Sequence, residues 1–114
     1  MSYIITRLVH PSWDECSYEE EIIHFDGEKN KYPSVEAIKE HLSKVLPKIA
    51  KENHYPANDT ADKILFSETE NGITQGWYNT QADLVAKVPC DFYKGEYQGD
   101  YLFYICIVNL NDYE

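Results

Sequence analysis

The chain has 114 residues, of which 43% are hydrophobic, and its 20 acidic and 10 basic residues give a net charge of −10. This length fits one domain, residues 1–114, and the apolar content excludes an intrinsically disordered chain. The negative charge disfavours direct binding to nucleic acids or anionic membranes, because both need lysine and arginine to replace counterions.

Neither a membrane-spanning segment nor a signal peptide is predicted. No apolar run approaches the ~20 residues that cross a bilayer, and residues 1–7 lack a basic region followed by a long apolar stretch. We therefore expect a cytoplasmic protein. Its cysteines, Cys16, Cys90 and Cys106, have no C-x-x-C spacing, and its four histidines are scattered singly. This pattern indicates no disulfide framework, metal site or cofactor.

The N-terminal residues predict a β-hairpin. Residues 3–9 favour a first strand that His10-Pro11 should end, because proline cannot donate a hydrogen bond to a sheet. Residues 12–17 are mostly polar and indicate a wide loop. A second strand is expected over residues 19–25, closed by the turn dipeptide Asp26-Gly27.

The clearest helix follows Pro33-Ser34, where Ser34 is a good N-cap. Apolar residues then recur at spacings of three and four and form one stripe. These residues are Val35, Ile38, Leu42, Val45, Leu46 and Ile49. Pro47 interrupts the pattern, and an internal proline costs about 3 kcal/mol. A kink or a restart is therefore expected at Pro47, with both parts packed on the same sheet.

The next segments contain short apolar runs and one strong turn signal. Residues 63–68 are compatible with a strand or a short helix, because six residues cannot distinguish the two periods. Asn71-Gly72 favours a type I′ turn, which predicts a hairpin between residues 64–70 and 73–78. Residues 82–88 favour a strand over one helical turn, and Pro89 should stop either.

The longest apolar run, residues 101–110, is rich in aromatic and β-branched residues and predicts a central strand. The glycines in residues 94–100 predict a hairpin loop before it. The expected fold class is therefore α+β, an antiparallel sheet with one main amphipathic, Pro47-kinked helix on one face. The second face of the sheet needs other cover, which a curled sheet, a homodimer or a binding partner could supply.

No sequence motif for catalysis, phosphate binding or metal binding is present. An acidic segment is the first candidate site, with seven carboxylates within 15 residues and no basic residue among them. They are Asp14, Glu15, Glu19, Glu20, Glu21, Asp26 and Glu28. One interpretation is a soluble edge strand protected against aggregation. The other is a surface that imitates the phosphates of DNA and occupies a basic groove.

Tyrosine is the second candidate feature, with ten residues in the chain. Tyr93, Tyr97 and Tyr101 lie near several acidic residues at the C-terminus. Tyrosine is enriched in interfaces because its ring gives contact area and its hydroxyl still bonds. The alternative is that these residues are core aromatics and cross-strand pairs.

The small size, the acidity and the absence of catalytic motifs resemble the inhibitors that phages and mobile elements use against host nucleic-acid enzymes, including anti-CRISPR and anti-restriction proteins. The resemblance is general and covers no motif. It implies a non-enzymatic binding protein that blocks a basic surface of a host nuclease or similar enzyme. The alternatives are a structural or assembly protein that oligomerises through its sheet face, as in a homodimer, and a small-molecule-binding or enzymatic domain that uses a tyrosine-lined pocket.

Overall fold

The computed structural model describes residues 2–14, 17–25, 27–52, 64–74, 79–92 and 97–110. Its elements are β1 (Tyr3–Asp14), β2 (Ser17–Ile22), α1 (Val35–Glu52), β3 (Leu65–Glu68), β4 (Leu84–Phe92) and β5 (Tyr97–Asn109). The five strands form one antiparallel sheet in the order β2-β1-β5-β4-β3. The α+β class and the central position of the strand over residues 101–110 are both confirmed.

The core lies between α1 and one face of the sheet. Ile38, Leu42 and Leu46 of α1 are fully buried, and they belong to one cluster with Phe103 and Ile105 of β5. Burial of an apolar side chain of this size contributes about 1.5–3 kcal/mol. The predicted helical stripe therefore provides most of the contact that α1 makes with the sheet.

The structure tests two predictions about the helix, the N-cap at Ser34 and the effect of Pro47. The backbone N–H of Ala37 donates to the Ser34 Oγ at 3.1 Å, which confirms Ser34 as the N-cap. Pro47 lies inside one continuous helix, so the expected alternative of a restart is wrong. The carbonyl that Pro47 leaves without a helical partner belongs to Ser43, an exposed residue that can bond to water.

Pro11 does not end the first strand, because β1 continues to Asp14. In an antiparallel ladder alternate residues point their N–H groups to opposite sides. The Ile23 N–H donates to the Leu8 carbonyl, so Leu8 faces β2 and Pro11 faces the side of β5. The last β1–β5 pair is Val9 with Tyr104. Pro11 therefore lies beyond the paired part of that side and interrupts no ladder bond there.

Pro89 does not end β4. The last β3–β4 pair is Leu65 with Lys87, so at Pro89 the strand has passed β3 and pairs only with β5. The prediction that Pro89 stops the strand is therefore wrong, and β4 pairs with β5 as far as Phe92.

The Asn71-Gly72 turn is present, but its predicted hairpin is wrong. Asn71 and Gly72 both have positive φ, 53° and 72°, and the Ile73 N–H donates to the Glu70 carbonyl at 3.0 Å. Residues 65–68, however, pair with residues 84–87 of β4. Of the predicted second strand, residues 75–78 lie outside the described residues, and Ile73 forms single bridges with Glu70 and Gln81.

The predicted N-terminal hairpin is confirmed, but its loop is shorter than expected. β1 and β2 pair from Val9–Ile22 to Asp14–Ser17, so most of the expected loop over residues 12–17 belongs to the strands. β2 ends at Ile22 rather than Phe25, and Ile23 turns into the core. In the part of the chain that the structure describes, no helix is long and apolar enough to span a membrane.

Candidate functional site

At one end of the sheet the strands form two separate pairs, β1 with β2 and β4 with β5. β1 and β5 pair no further than Val9–Tyr104, but β1 continues with β2 to Asp14–Ser17. β4 and β5 likewise continue without β3 to Phe92–Tyr97. β1 and β4 both run antiparallel to β5, so the two ribbons project in the same direction. We call the described residues at this end, 10–14, 17–21, 88–92 and 97–101, the ribbon end.

The ribbon end holds most of the negative charge of the chain. Residues 10–14 and 17–21 contain four acidic residues, residues 88–92 and 97–101 contain two, and neither set contains lysine or arginine. Their net charges are −4 and −2, which together equal six of the ten net charges of the protein. Part of the acidic segment and part of the C-terminal tyrosine region therefore lie at the same end of the sheet.

Glu19 and Glu21 supply exposed carboxylates on the edge strand β2. They pair with Ser12 and His10 of β1 and, two residues apart, lie on the same face of β2. Their Cα atoms are separated by about 6.7 Å in an extended strand. Both side chains are exposed, so each charge is solvated and accessible to a cationic partner.

Glu20 lies on the opposite face of the sheet and is paired within the protein. Its carboxylate forms an ion pair with the guanidinium of Arg7, and both side chains are part-buried. Glu20 therefore contributes less free negative charge than its two neighbours in sequence. The run of three glutamates does not form one continuous acidic surface.

The remaining members of the acidic segment are separated from Glu19 and Glu21. Glu28 follows β2, at the end opposite the ribbon end, and its carboxylate lies 3.0 Å from the His24 Nδ1. The predicted patch over residues 14–28 is thus divided by the length of β2. The backbone of Asp14 ends the pairing of β1, while its side chain, Glu15 and Asp26 lie outside the described residues.

Tyr101 is placed in the core instead of on a contact surface. Its side chain is 3% exposed and belongs to the cluster beneath α1. This outcome matches the alternative that the tyrosine is a core aromatic. The backbone of Tyr97 pairs with Phe92, while the Tyr97 side chain and all of Tyr93 lie outside the described residues.

His10 connects the two ribbons where the β1–β5 ladder has ended. Its imidazole stacks on Tyr101, with ring centroids 3.9 Å apart and an interplanar angle of 6°. The His10 Nδ1 also lies 2.7 Å from the Leu102 carbonyl oxygen, which fits donation from the ring N–H to the carbonyl. This side-chain bond stands in for the backbone donor that Pro11 lacks.

The described residues contain no group of three or more His, Cys, Asp or Glu side chains that could hold a metal ion. Cys90 is buried in the core, and Cys106 donates from its Sγ to the Gln81 carbonyl at 3.3 Å. Burial, together with the negative charge of Asp83, raises the pKa of the Cys106 thiol. A thiol with a raised pKa is a poor nucleophile at neutral pH.

A groove of about 440 Å³ lies on the sheet face opposite α1. Val85, Leu102 and Tyr104 line it from β4 and β5, because they alternate with the residues that face the helix. Residues 68–70, together with Ile73 and Thr74, form its other side. The groove is the principal feature that the sequence interpretation missed. The alternation of Leu102 and Tyr104 indicated an uncovered second face of the sheet. No local pattern indicated that residues 68–74 form the other side of a groove on that face.

Comparison with protein-family models, with curated proteins and with solved structures finds no match.

Proposed function

We propose that this chain is a small, acidic, non-enzymatic binding protein that blocks a basic nucleic-acid-binding surface of a host protein. It would act in the cytoplasm as an inhibitor of the kind that phages and mobile elements direct against nucleases and related enzymes. The observation that carries the proposal is the ribbon end, where the described residues of the two ribbons hold six of the ten net negative charges.

The geometry of β2 supports a role in recognition. Glu19 and Glu21 repeat along an edge strand at about the 6.7 Å spacing of alternate residues. Two exposed carboxylates on a hydrogen-bonded pair of strands can form ion pairs with lysine and arginine. The charge would act mainly by steering association with a basic partner, so its effect should depend strongly on salt.

The experiment compares capture by the wild type with capture by the double variant Glu19→Gln/Glu21→Gln. Each immobilised protein is exposed to bacterial lysate, and bound proteins are eluted with short duplex DNA and identified by mass spectrometry. We expect the wild type to retain a nucleic-acid enzyme that DNA displaces and whose activity the purified protein inhibits. The double variant should retain less of it.

A matched control is the variant Glu36→Gln/Glu40→Gln, which changes the net charge equally on the outer face of α1. Both of these residues are exposed. If the control and the β2 variant weaken capture to the same degree, overall charge is responsible and the ribbon end is not the contact surface. Capture that DNA does not displace would contradict the proposal of a blocked nucleic-acid site.

A structural or assembly role is the second candidate, and exposed apolar residues favour it. Ile22 is 59% exposed and Leu65 is 63% exposed, and both strand positions lie on the face opposite α1. Burial of such residues between two copies would stabilise a homodimer. Sedimentation velocity over a range of protein concentrations tests this candidate directly.

A further inference from the structure

Hydrogen bonds support the side of the groove that residues 68–74 form opposite α1. The Thr69 Oγ1 donates to the Ala82 carbonyl, and the Ala82 N–H donates to the Gly72 carbonyl at 2.8 Å. The Thr74 N–H donates to the Thr80 carbonyl at 2.8 Å, and the Thr80 N–H donates to the Thr74 Oγ1 at 3.0 Å. These bonds join residues 69–74 to residues 80–82 beside the sheet.

The lining of the groove combines an apolar floor with charged edges. Tyr104 and Val85 form part of a small second cluster, and Leu102 is half-buried beside them. Glu68 and Glu70 are exposed residues that line the groove, and among the described residues that line it Lys87 is the basic one. A floor of this kind can hold the aliphatic stem of a long side chain while the edge carboxylates meet its charge.

We infer that this groove binds a lysine- or arginine-bearing extended segment of the basic partner. The inference rests on the proposed function and adds a second contact surface to the ribbon end. An arginine or lysine side chain would lie over Tyr104 and Leu102, with its charged head near Glu68 and Glu70. The cation would gain from the two carboxylates, while the nearly buried Tyr104 and the half-buried Leu102 would contact the stem of its side chain.

Charge distinguishes this occupant from the other candidates for the open face. A second copy of the chain would bring another net charge of −10 to the same surface, which opposes association. Nucleic acid is repelled for the same reason. A basic protein segment is the occupant that the overall charge attracts and that the two groove carboxylates complement.

The test uses a defined peptide, acetyl-Leu-Arg-Leu-amide, titrated into ¹⁵N-labelled protein and followed through amide chemical shifts. We expect saturable shifts at residues 69–74 and at Leu102 and Tyr104. The variant Glu68→Gln/Glu70→Gln should weaken binding by about two- to fivefold, the range of partly exposed ion pairs. Lys87→Gln should strengthen it, because it removes a competing positive charge.

Two controls separate the groove from general charge effects. The peptide acetyl-Leu-Gln-Leu-amide has the same length without the cation and should bind more weakly. The variant Glu36→Gln/Glu40→Gln alters the same number of charges on α1 and should leave the affinity unchanged. Equal binding of both peptides, or equal loss in both double variants, overturns the inference.

The location of the shifts also separates this inference from the proposed function. Shifts confined to residues 10–21, or no shifts at all, overturn the groove as a binding site. In either case the capture experiment with Glu19→Gln/Glu21→Gln still decides the proposed function. Concentration-dependent shifts at the groove without peptide overturn the inference in favour of a second copy as the occupant.

Discussion

The imidazole of His10 lies parallel to the ring of Tyr101 at 3.9 Å and also bonds through Nδ1 to the Leu102 carbonyl. We expect His10→Ala to lower the free energy of unfolding by about 1–3 kcal/mol, because it removes an aromatic contact and leaves the carbonyl without its partner. His10→Phe keeps a ring over Tyr101 but cannot donate, so it should lose only part of this stability. Urea unfolding measures both variants.

The control for His10 is His24→Ala, since the His24 side chain is 79% exposed. This substitution should change the stability by less than about 0.5 kcal/mol. Equal effects of the His10 and His24 substitutions would contradict a structural role for the stacked ring.

Gly27→Ala should destabilise the protein more than Gly72→Ala. Both glycines have positive φ, so alanine is strained by about 1–2 kcal/mol at either position. A Cβ atom at Gly27 would in addition collide with the side chains of Tyr32 and His41, whereas the surroundings of Gly72 are open. Thermal melting of the two variants checks the order. A larger loss for Gly72→Ala would exclude crowding by Tyr32 and His41 as the cause.

Replacement of Pro47 by alanine should raise the free energy of unfolding by about 1–3 kcal/mol. The substitution restores a backbone donor to the Ser43 carbonyl and removes the clash of the proline ring, while the unfolded chain gains some freedom. Lys48→Ala, at the next and exposed position of α1, should have an effect of only a few tenths of a kcal/mol. Denaturant titration distinguishes the two. A loss of stability in Pro47→Ala would indicate that α1 needs a bend at this position.

The three neighbouring glutamates of β2 should respond differently to neutralisation. Glu20→Gln is expected to cost up to about 1 kcal/mol, because it removes the partner of Arg7 at a part-buried position. Glu19→Gln and Glu21→Gln should leave the stability unchanged within about 0.5 kcal/mol, since both side chains are exposed. Unfolding curves at low and high salt measure the difference. A loss in Glu19→Gln that exceeds that in Glu20→Gln would show that the ion pair is not the stronger interaction.

Cys106 should react slowly with iodoacetamide at neutral pH. Burial and Asp83 raise the pKa of its thiol, so the reactive thiolate forms at a higher pH than in an unfolded chain. A raised pKa in the folded state means that the thiol favours folding below the unfolded pKa, and this contribution is lost as the pH rises through the folded pKa. Asp83→Asn should lower the pKa and speed the reaction at a fixed pH. Peptide mapping by mass spectrometry follows Cys106 separately from the other cysteines, and an unchanged rate in Asp83→Asn would exclude the carboxylate as a cause.

The sequence predicted those parts of the fold that depend on local pattern. The apolar stripe and Ser34 located α1, and the run over residues 101–110 located the central strand. Pro11 and Pro89 misled the prediction, because a proline interrupts a sheet only when its nitrogen points toward a paired strand. That direction depends on the register, which local sequence does not contain.

The candidate site was predictable in its charges but not in its arrangement. The amino-acid composition revealed the acidic segment and the tyrosine region, but only the topology shows that residues 10–14 and 17–21 lie at the same end as residues 88–92 and 97–101. To predict that Glu19 is exposed on one face while Glu20 pairs with Arg7 on the other, one needs the alternation of the strand and the position of Arg7. The side of the groove formed by residues 68–74 depends on bonds that join residues 69–74 to residues 80–83, and the residues across the groove are 11 or more positions away in sequence.

The paired ribbons also limit how this chain can change in length. Each ribbon is an antiparallel pair in continuous register from the body of the sheet to its last pair, Asp14–Ser17 or Phe92–Tyr97. Removal of one residue from a single strand would turn every later side chain of that strand to the opposite face. Removal of one residue from each strand of a pair keeps the two strands aligned and shortens the ribbon. Variants of this protein with longer or shorter ribbons should therefore differ from it by an even number of residues in each ribbon.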